Sequence, residues 1–346
     1  MFPPATPPRF DQLCRRAWLG AGLAAVATLA APALAARRQP LRLRFSHVVA
    51  PDTPKGRMAQ RFQDLVHQRA GERIRVQVHP DSSLYGDDDE MEALRLGAVE
   101  MLAPSLSKFG MAGVPEFDVF DLPYLFNDLV QVRRVTQGAV GRELLQRLAR
   151  QQMLGLGYLD NGFKQMSALR PLLQPADFQH LRVRVQAPGV LQAQMQAWGA
   201  RAVVLPFAET QRALAGGVVD AAENPLSNFL TQGLAPWQPH VSLTGHGYLG
   251  YAVVANPRFW SSLARADRTL LGEALAEALE SGNRLSAELD SQALHHLRQM
   301  PGVQLHVVPE ATREALRVAA QPVHAGLQRR LGTGLLDAVR RALKTA

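Results

Sequence analysis

Short segments of alternating apolar and polar residues recur along the chain from residue 41, and helix-like segments separate them. Two of them read "LRLRFSHVV" at 41–49 and "RIRVQVHP" at 73–80, and residues 59–70 between them carry apolar side chains at helical spacing. Further strands are predicted in "GLGYLD", "LRVRV", "AVVLPF" and "VVDAAENP". Strands that alternate with helices predict an α/β fold with largely parallel sheets.

The segment 258–300 has a different pattern, because it is helical throughout and contains no proline between Pro257 and Pro301. We predict one long helix there, which braces two domains. The predicted fold class is therefore a two-lobed α/β clamshell of the periplasmic-binding-protein type. Lobe I is predicted at 36–161 plus 250–290, and lobe II at 162–249 plus 291–346.

An acidic run from Asp87 to Glu90 opens another helix-like segment. Carboxylates stabilise the N-terminus of a helix, because the helix dipole is positive there. The simplest interpretation of the run is therefore structural. A cation site or a contact to a ligand is the alternative.

The first 35 residues have the pattern of an export signal. Two arginines at 15 and 16 precede the apolar run "AWLGAGLAAVATLAAPALA", which ends in an A-x-A motif. This pattern predicts a secretory signal peptide that is cut after Ala35, and hence a periplasmic protein. A single transmembrane anchor is the alternative, and the export route, Sec or twin-arginine, stays open. Cys14 is the only cysteine, so the exported chain has neither disulfides nor a cysteine-ligated metal.

The net charge of +8 does not indicate a nucleic-acid partner. The basic residues are mostly arginines spread along the chain, without the cluster that binds a phosphate backbone. The sequence also lacks a phosphate-binding P-loop, a G-x-G-x-x-G turn and a G-x-S-x-G nucleophile motif. The adjacent His295 and His296 point to different sides of a helix and are poor joint metal ligands. We therefore predict no catalytic residues, no metal and no cofactor.

An exported α/β protein without a catalytic motif fits a receptor that binds a small ligand between two lobes and closes by a hinge. Ligands of open α/β sheets lie beyond the carboxyl ends of the strands. This rule selects Arg184 near the end of "LRVRV", Phe207 at the end of "AVVLPF", and the pair Glu223 and Asn224 at the end of "VVDAAEN".

The same motifs resemble the solute-binding proteins of TRAP (tripartite ATP-independent periplasmic) transporters. The resemblance extends from residue 43 to residue 260, and several motifs are similar to the branch that binds four-carbon dicarboxylates such as malate, succinate and fumarate. The segments that carry it are "LRFSHVVAPDTPKG", "LYGDDDEMEALRLGAVEMLAPSLSKFG", "EFDVFDLPYLF", "DNGFKQMSA", "LPFAETQRALAGGVVDAAENP", "GHGYLGY" and "NPRFW".

The resemblance implies an arginine on a strand that forms a two-pronged salt bridge with the substrate carboxylate, and Arg184 occupies that position. A planar guanidinium that is always charged suits this role. Arg182, two residues earlier, is expected to be an ordinary surface charge. Asn224 matches a hydrogen-bonding asparagine of the family, and Phe207 matches an aromatic residue that packs beside the ligand. A structural salt bridge for Arg184, a turn role for Asn224 and core packing for Phe207 are the alternatives.

Lys164 occupies a position where many relatives carry an arginine, so the resemblance implies a contact to the second carboxylate of a dicarboxylate. A solvated lysine is the alternative. Ser105 and His47 match positions of lobe I that face the cleft. Ser105 replaces a larger polar or acidic residue of relatives that bind sugar acids, which favours a small substrate. A structural role for His47 stays open.

The resemblance also implies the partners: a small dicarboxylate ligand and the small and large integral-membrane subunits of a TRAP transporter. We expect a monomer that carries out no chemistry. Three alternatives stay open, namely the same receptor fold for a keto acid or sugar acid, a receptor that serves a sensor kinase, and a periplasmic enzyme.

Overall fold

The computed structural model describes residues 39–344, so the predicted signal peptide lies outside the described residues. The strands are β1 (Leu41–Ser46), β2 (Ile74–His79), β3 (Met101–Leu102), β4 (Leu154–Ala168), β5 (Arg182–Val185), β6 (Arg201–Val204), β7 (Ala221–Asn224), β8 (His240–Ala255) and β9 (Gln304–Val307). The helices are α1 (Pro54–Ala70), α2 (Glu90–Leu96), α3 (Ser107–Met111), α4 (Leu129–Thr136), α5 (Ala139–Arg147), α6 (Val190–Ala197), α7 (Thr210–Ala215), α8 (Leu226–Thr231), α9 (Pro257–Ser262), α10 (Arg265–Gln299), α11 (Glu310–Ala319), α12 (Gln321–Leu331) and α13 (Thr333–Lys344).

The strands form one mixed sheet within the described part of the chain, in the order β2-β1-β3-β8-β4-β7-β5-β6, with β9 paired to β8. One parallel set contains β2, β1 and β3, and a second contains β7, β5 and β6. The long strands β4 and β8 pair with each other in antiparallel fashion and join the two sets. The mixed α/β class agrees with the prediction. The sheet is less parallel than predicted, because β4 and β8 are long antiparallel strands.

The register of the ribbon formed by β4 and β8 makes the two parallel sets point toward each other. Along β3, the partners on β8 run from Ala255 back to Val254. Along β7, the partners on β4 run from Ala168 back to Gln165. Since β3 pairs at one end of the ribbon and β7 at the other, the carboxyl ends of both sets face the middle of the ribbon. Loops that follow parallel strands from both sets therefore meet there.

The loop between β1 and α1 folds tightly onto the start of the helix. The Thr53 side chain accepts a hydrogen bond from the Gly56 amide at 3.2 Å, and Pro54 occupies the first helical position. A Cβ at Gly56 would lie 2.4 Å from the carbonyl oxygen of Pro51. The glycine is therefore required for this close approach of the loop to the helix.

The predicted long helix is confirmed as α10, which spans 35 residues after the short helix α9. Its first half packs against α1 and β4, and its second half packs against α8 and β9. It thus contacts elements toward both ends of the ribbon formed by β4 and β8. None of the helices in residues 39–344 is long and apolar enough to cross a lipid bilayer.

The last two helices complete a core that is built mainly from residues 93–158. Helix α12 contributes Val323 and Leu327, and α13 contributes Leu336 and Val339, all of them buried. Helix α13 packs against α4 and α5, and α12 packs against α6 and α13. The lobe boundaries drawn from the sequence stay a prediction, although they assigned this C-terminal segment to lobe II.

Candidate functional site

A small pocket lies where the carboxyl ends of the two parallel sets meet. One side follows β1 and β3 and includes residues of α1, of α3 and of the segment before α2. The other side follows β5 and β6 and includes a residue of α8. The lining residues are Val48, Val49, Lys55, Asp87, Ser105, Lys108, Arg184, Gln186, Phe207, Asn228, Leu249 and Tyr251. Residues of both predicted lobes therefore contribute to it.

Arg184 is a buried cation in this pocket without a carboxylate partner. It lies near the end of β5 and is 2% exposed. Its Nε and Nη2 donate to the carbonyl oxygen of Leu205, at 3.0 and 2.7 Å. No carboxylate of residues 39–344 lies within 4.0 Å of its nitrogens. Burial lowers the pKa of Arg184 to about 10, against the attraction of Glu223, so the guanidinium stays charged at neutral pH.

Arg182, on the same strand, has the opposite environment. Its guanidinium binds both carboxylate oxygens of Asp220, with Nε at 2.9 Å and Nη2 at 2.5 Å, and its side chain is 42% exposed. The two arginines of "LRVRV" therefore differ in both pairing and exposure.

Phe207 also lines the pocket, although the strand that we predicted through it ends earlier. Strand β6 stops at Val204, and Phe207 begins a short 3₁₀ helix. Pro206 lacks the amide that would continue the strand ladder. The Phe207 ring lies 6.0 Å from the guanidinium carbon of Arg184, so the aromatic residue and the arginine face the same space.

Two lysines that were not among the predicted site residues contribute further positive charge: Lys55, which is buried, and Lys108, whose side chain is 11% exposed. The Lys55 ammonium donates to the carbonyl oxygen of Ala103 at 2.9 Å and lies 3.9 Å from the centre of the Tyr251 ring. Burial lowers the pKa of Lys55 to about 8, against the attraction of Glu90. Like Arg184, Lys55 has no carboxylate of the described residues within 4.0 Å.

Lys108 differs from Lys55, because acidic residues already surround it. Its ammonium contacts the Asp87 carboxylate and lies 3.0 Å from Oε1 of Glu90. Burial raises the pKa of Glu90 to about 8. Burial, together with the charges of Lys55 and Arg184, lowers the pKa of Lys108. Part of the predicted acidic run thus lines the pocket, while Glu90 begins α2 as the structural interpretation requires.

Ser105 and His47 follow β3 and β1, but only Ser105 belongs to the pocket lining. Its hydroxyl is buried and has no hydrogen-bond partner among the described residues. His47 is fully buried and lines a different cavity. Burial and the nearby charge of Lys55 lower the pKa of His47 to about 3, so its ring is neutral at physiological pH.

Lys164 and Asn224 are not among the residues that line the pocket. The Lys164 ammonium is 1% exposed and binds Oε1 of Glu223 at 2.7 Å. Oε2 of Glu223 lies 2.8 Å from Nε2 of His246. Burial opposes ionisation of Glu223, but the Lys164 and His246 contacts lower its pKa to about 2. Asn224 is buried at the end of β7, and its amide nitrogen has no partner in the described part of the chain.

The structure therefore brings together three of the six predicted site residues, Arg184, Phe207 and Ser105. Lys55 and Lys108, which were not predicted, could be recognised in the sequence once the positions of their helices are known. Lys55 and Lys108 each occupy the second position of a helix, where a positive charge is unfavourable because of the helix dipole. A cation at such a position indicates a role other than helix stability.

This arrangement can bind an anion. Arg184 and Lys55 are buried cations without carboxylate partners, and buried charges are costly unless they are paired. Two such cations in one pocket match a ligand with two carboxylates. Within residues 39–344, no group of three or more metal-ligating side chains is placed to hold a metal ion.

Comparison with known proteins gives consistent matches. The model of the DctP family, described as bacterial extracellular solute-binding protein, family 7, matches residues 45–330. A C4-dicarboxylate-binding periplasmic protein of Rhodobacter capsulatus is 44% identical over 324 residues, which cover 94% of this chain and 97% of the relative.

Two solved structures of TRAP periplasmic solute-binding proteins have the same fold. One, from Shewanella oneidensis with bound succinate, has a TM-score of 0.86 and 40% identity and covers 88% of this chain and all of its own. The other, from Pseudomonas aeruginosa with bound L-malate, has a TM-score of 0.81 and 38% identity and covers 83% of this chain and all of its own.

Proposed function

Because this chain belongs to family 7 of the bacterial extracellular solute-binding proteins, we propose that it is a TRAP receptor that captures C4-dicarboxylates such as succinate, fumarate and malate. The family predicted from the sequence motifs is thus confirmed. Its members are receptors for solutes.

The observation that carries the proposal is the unpaired, buried guanidinium of Arg184. Two of its nitrogens already donate to Leu205, and this contact fixes the plane of the group. A fixed, charged fork favours a carboxylate over a neutral ligand, because charge-assisted hydrogen bonds contribute about 1.5–3 kcal/mol each. Arg184 would therefore hold one carboxylate of the ligand.

For the second carboxylate, Lys55 is the candidate that the pocket favours. It lines the same pocket as Arg184 and has no acidic partner. Lys164, which the sequence analysis selected, remains a hypothesis for this contact, but its ammonium is already bound to Glu223. The unpartnered hydroxyl of Ser105 lies in the lining as a further hydrogen-bonding group.

Capture of the ligand would couple to closure of the pocket. The ligand contacts residues from both sides, so it binds the closed form more strongly than the open form, and this difference shifts the population toward closure. The closed receptor would then dock on the membrane subunits of a TRAP transporter in the periplasm. Three or four charge-assisted bonds, less the costs of association and ordering, are consistent with a micromolar dissociation constant, about −8 kcal/mol.

The test is isothermal titration of the exported chain, residues 36–346, with succinate, L-malate and fumarate and with the Arg184→Ala variant. We expect the wild type to bind at least one of the three acids. The variant should lose about 3 kcal/mol or more of binding free energy, roughly a hundredfold in affinity, because the ligand carboxylate loses its charge partner.

Arg182→Ala is the matched control, because this arginine lies on the same strand but is half-exposed and paired with Asp220. It should bind like the wild type. Binding by Arg184→Ala at wild-type affinity would contradict the proposed site. Binding of only a sugar acid or keto acid by the wild type would keep the receptor and reject the dicarboxylate, whereas turnover of a bound acid would favour the periplasmic enzyme.

A further inference from the structure

The carboxylate of Asp87 reaches across the pocket. Asp87 precedes α2 on the first side, and its Oδ2 accepts a hydrogen bond from the backbone N–H of Phe207, on the second side, at 2.5 Å. Its other oxygen contacts the ammonium of Lys108, on its own side. The Asp87 side chain is only 9% exposed. Lys108 therefore holds in place a shielded acceptor that binds the opposite side.

The segment that Asp87 binds is the same one that Arg184 binds. Arg184 donates two hydrogen bonds to the carbonyl oxygen of Leu205, and Asp87 accepts from the amide two residues later. The segment 205–207 is thus fixed between the proposed ligand anchor on one side of the pocket and an acidic residue on the other. Movement of this segment away from Asp87 would open the pocket at Phe207.

From this geometry we infer that Asp87 is a positioning residue that latches the pocket closed and slows release of the bound acid. The inference rests on the proposed receptor function and extends it to the kinetics of release. The Phe207 amide and the Asp87 carboxylate meet only when the two sides are together, so their bond stabilises the closed form alone. An interaction present in only one state shifts the equilibrium toward that state.

A second, uncharged contact crosses the pocket, so the latch is not the sole restraint. The amide of Gln186 donates to the hydroxyl of Ser107 at 2.7 Å, and that hydroxyl donates to Asp121 at 2.6 Å. Loss of Asp87 leaves this contact in place. The expected effect is therefore faster opening of a pocket that still closes.

The experiment measures association and dissociation rates of succinate and L-malate by stopped-flow fluorescence for the wild type and three variants of the exported chain. Asp87→Ala should raise the dissociation rate about tenfold and change the association rate little, because interface changes act mainly on dissociation. Asp87→Asn keeps an oxygen that can accept from the Phe207 amide, so its rate should rise less. Asp88→Ala is the matched control, because Asp88 is the exposed neighbour in the same run.

A dissociation rate of Asp87→Ala at or below the wild-type value would overturn the inference and leave Asp87 as a counter-charge for Lys108. An asparagine variant that releases ligand as fast as the alanine variant would also overturn it, because the hydrogen bond would then contribute nothing. If the wild type binds no dicarboxylate, the proposed ligand is wrong, and the same rate comparison with the acid that does bind judges the latch separately.

Discussion

Lys55 and Lys164 are both 1% exposed, yet their ammonium groups have different partners. Lys164 binds the carboxylate of Glu223, whereas Lys55 is bound by a carbonyl oxygen and an aromatic ring. A carbonyl and a ring leave the charge uncompensated, while a carboxylate neutralises it. Lys55 therefore gains more from an incoming carboxylate than Lys164 does.

We predict that Lys55→Gln lowers the affinity for succinate about tenfold and the affinity for a monocarboxylate of similar size much less. Only the dicarboxylate has a second carboxylate that Lys55 would bind. Titration of both ligands against wild type and variant measures the ratio. Lys164→Gln is the comparison. Removal of one partner of a buried pair leaves Glu223 uncompensated, at a cost of about 3–5 kcal/mol in stability, which thermal unfolding would detect.

The pH dependence of binding gives Lys55 a separate signature. Burial lowers its pKa to about 8 in the free receptor, and a bound carboxylate would raise it again. Above about pH 8 the complex therefore has to take up a proton that the free receptor has lost, so the affinity for succinate should fall as the pH rises. The variant Lys55→Gln should lack this alkaline decline. An equal decline in both proteins, or a succinate preference that depends on Lys164 instead, would contradict the assignment.

Helix α10 packs closely against α1 and β4 at Gly282. A Cβ at Gly282 would lie 2.7 Å from Cδ1 of Leu159 and 2.9 Å from Cβ of Met58. We predict that Gly282→Ala destabilises the fold by about 1–2 kcal/mol, because the cost of overpacking exceeds the gain in helix propensity. Thermal unfolding measures the change.

Gly272 supplies the control in the same helix, because a Cβ there would meet no atom within 4 Å. Gly272→Ala should be neutral or stabilise the protein by up to about 1 kcal/mol. Equal stability of the two alanine variants would show that α10 moves freely at Gly282, and would contradict the tight packing against α1 and β4.

Five short strands (β1, β2, β5, β6 and β7) and the long helix were predicted from the sequence, whereas β3, β8 and β9 were missed and β4 was predicted only in part. The pattern of β5 alternates, so "LRVRV" indicates a strand directly. Most of β8 is buried on both faces, and a strand of this kind has no alternation to detect. Glycines along "LGLGYLDNGFKQMSA" interrupt the pattern of β4 further. The antiparallel ribbon that joins the two parallel sets therefore could not be predicted from local patterns.

Part of the candidate pocket could be predicted, namely residues that lie at or just after the carboxyl ends of strands. The rule that ligands lie beyond the carboxyl ends of strands selected Arg184 and Phe207, which line the pocket, and also Glu223 and Asn224, which do not. Lys55 lies on a helix, and its direction depends on how the preceding loop folds back at Gly56. Lys164 was selected from its sequence motif, but in the structure it forms a buried ion pair with Glu223, which lies 59 residues later in the chain. Such pairing depends on tertiary contacts, which local patterns do not encode.

At the scale of the whole molecule, the chain returns at its end to the core of its first half. Helices α12 and α13 bury Val323, Leu327, Leu336 and Val339 in that core. Burial of four such side chains contributes roughly 6–12 kcal/mol, which approaches the total stability of about 5–15 kcal/mol of a typical domain. We predict that a chain ending at Ala320 shows no cooperative thermal unfolding. A truncated chain that melts near the full-length midpoint would contradict this.

The distribution of lysines makes the molecule a natural reporter of its own opening. The chain has four lysines, of which Lys55 and Lys108 line the pocket, Lys164 is buried in its ion pair, and Lys344 is exposed. Amine-acylating reagents modify lysines that solvent reaches, while the many arginines stay inert toward them. In the folded protein, Lys344 is then the lysine that reacts first, and acylation of Lys55 requires that the two sides of the pocket separate. The rate of Lys55 acylation, followed by mass spectrometry, would therefore report how often the pocket opens, without a fluorescent or spin label.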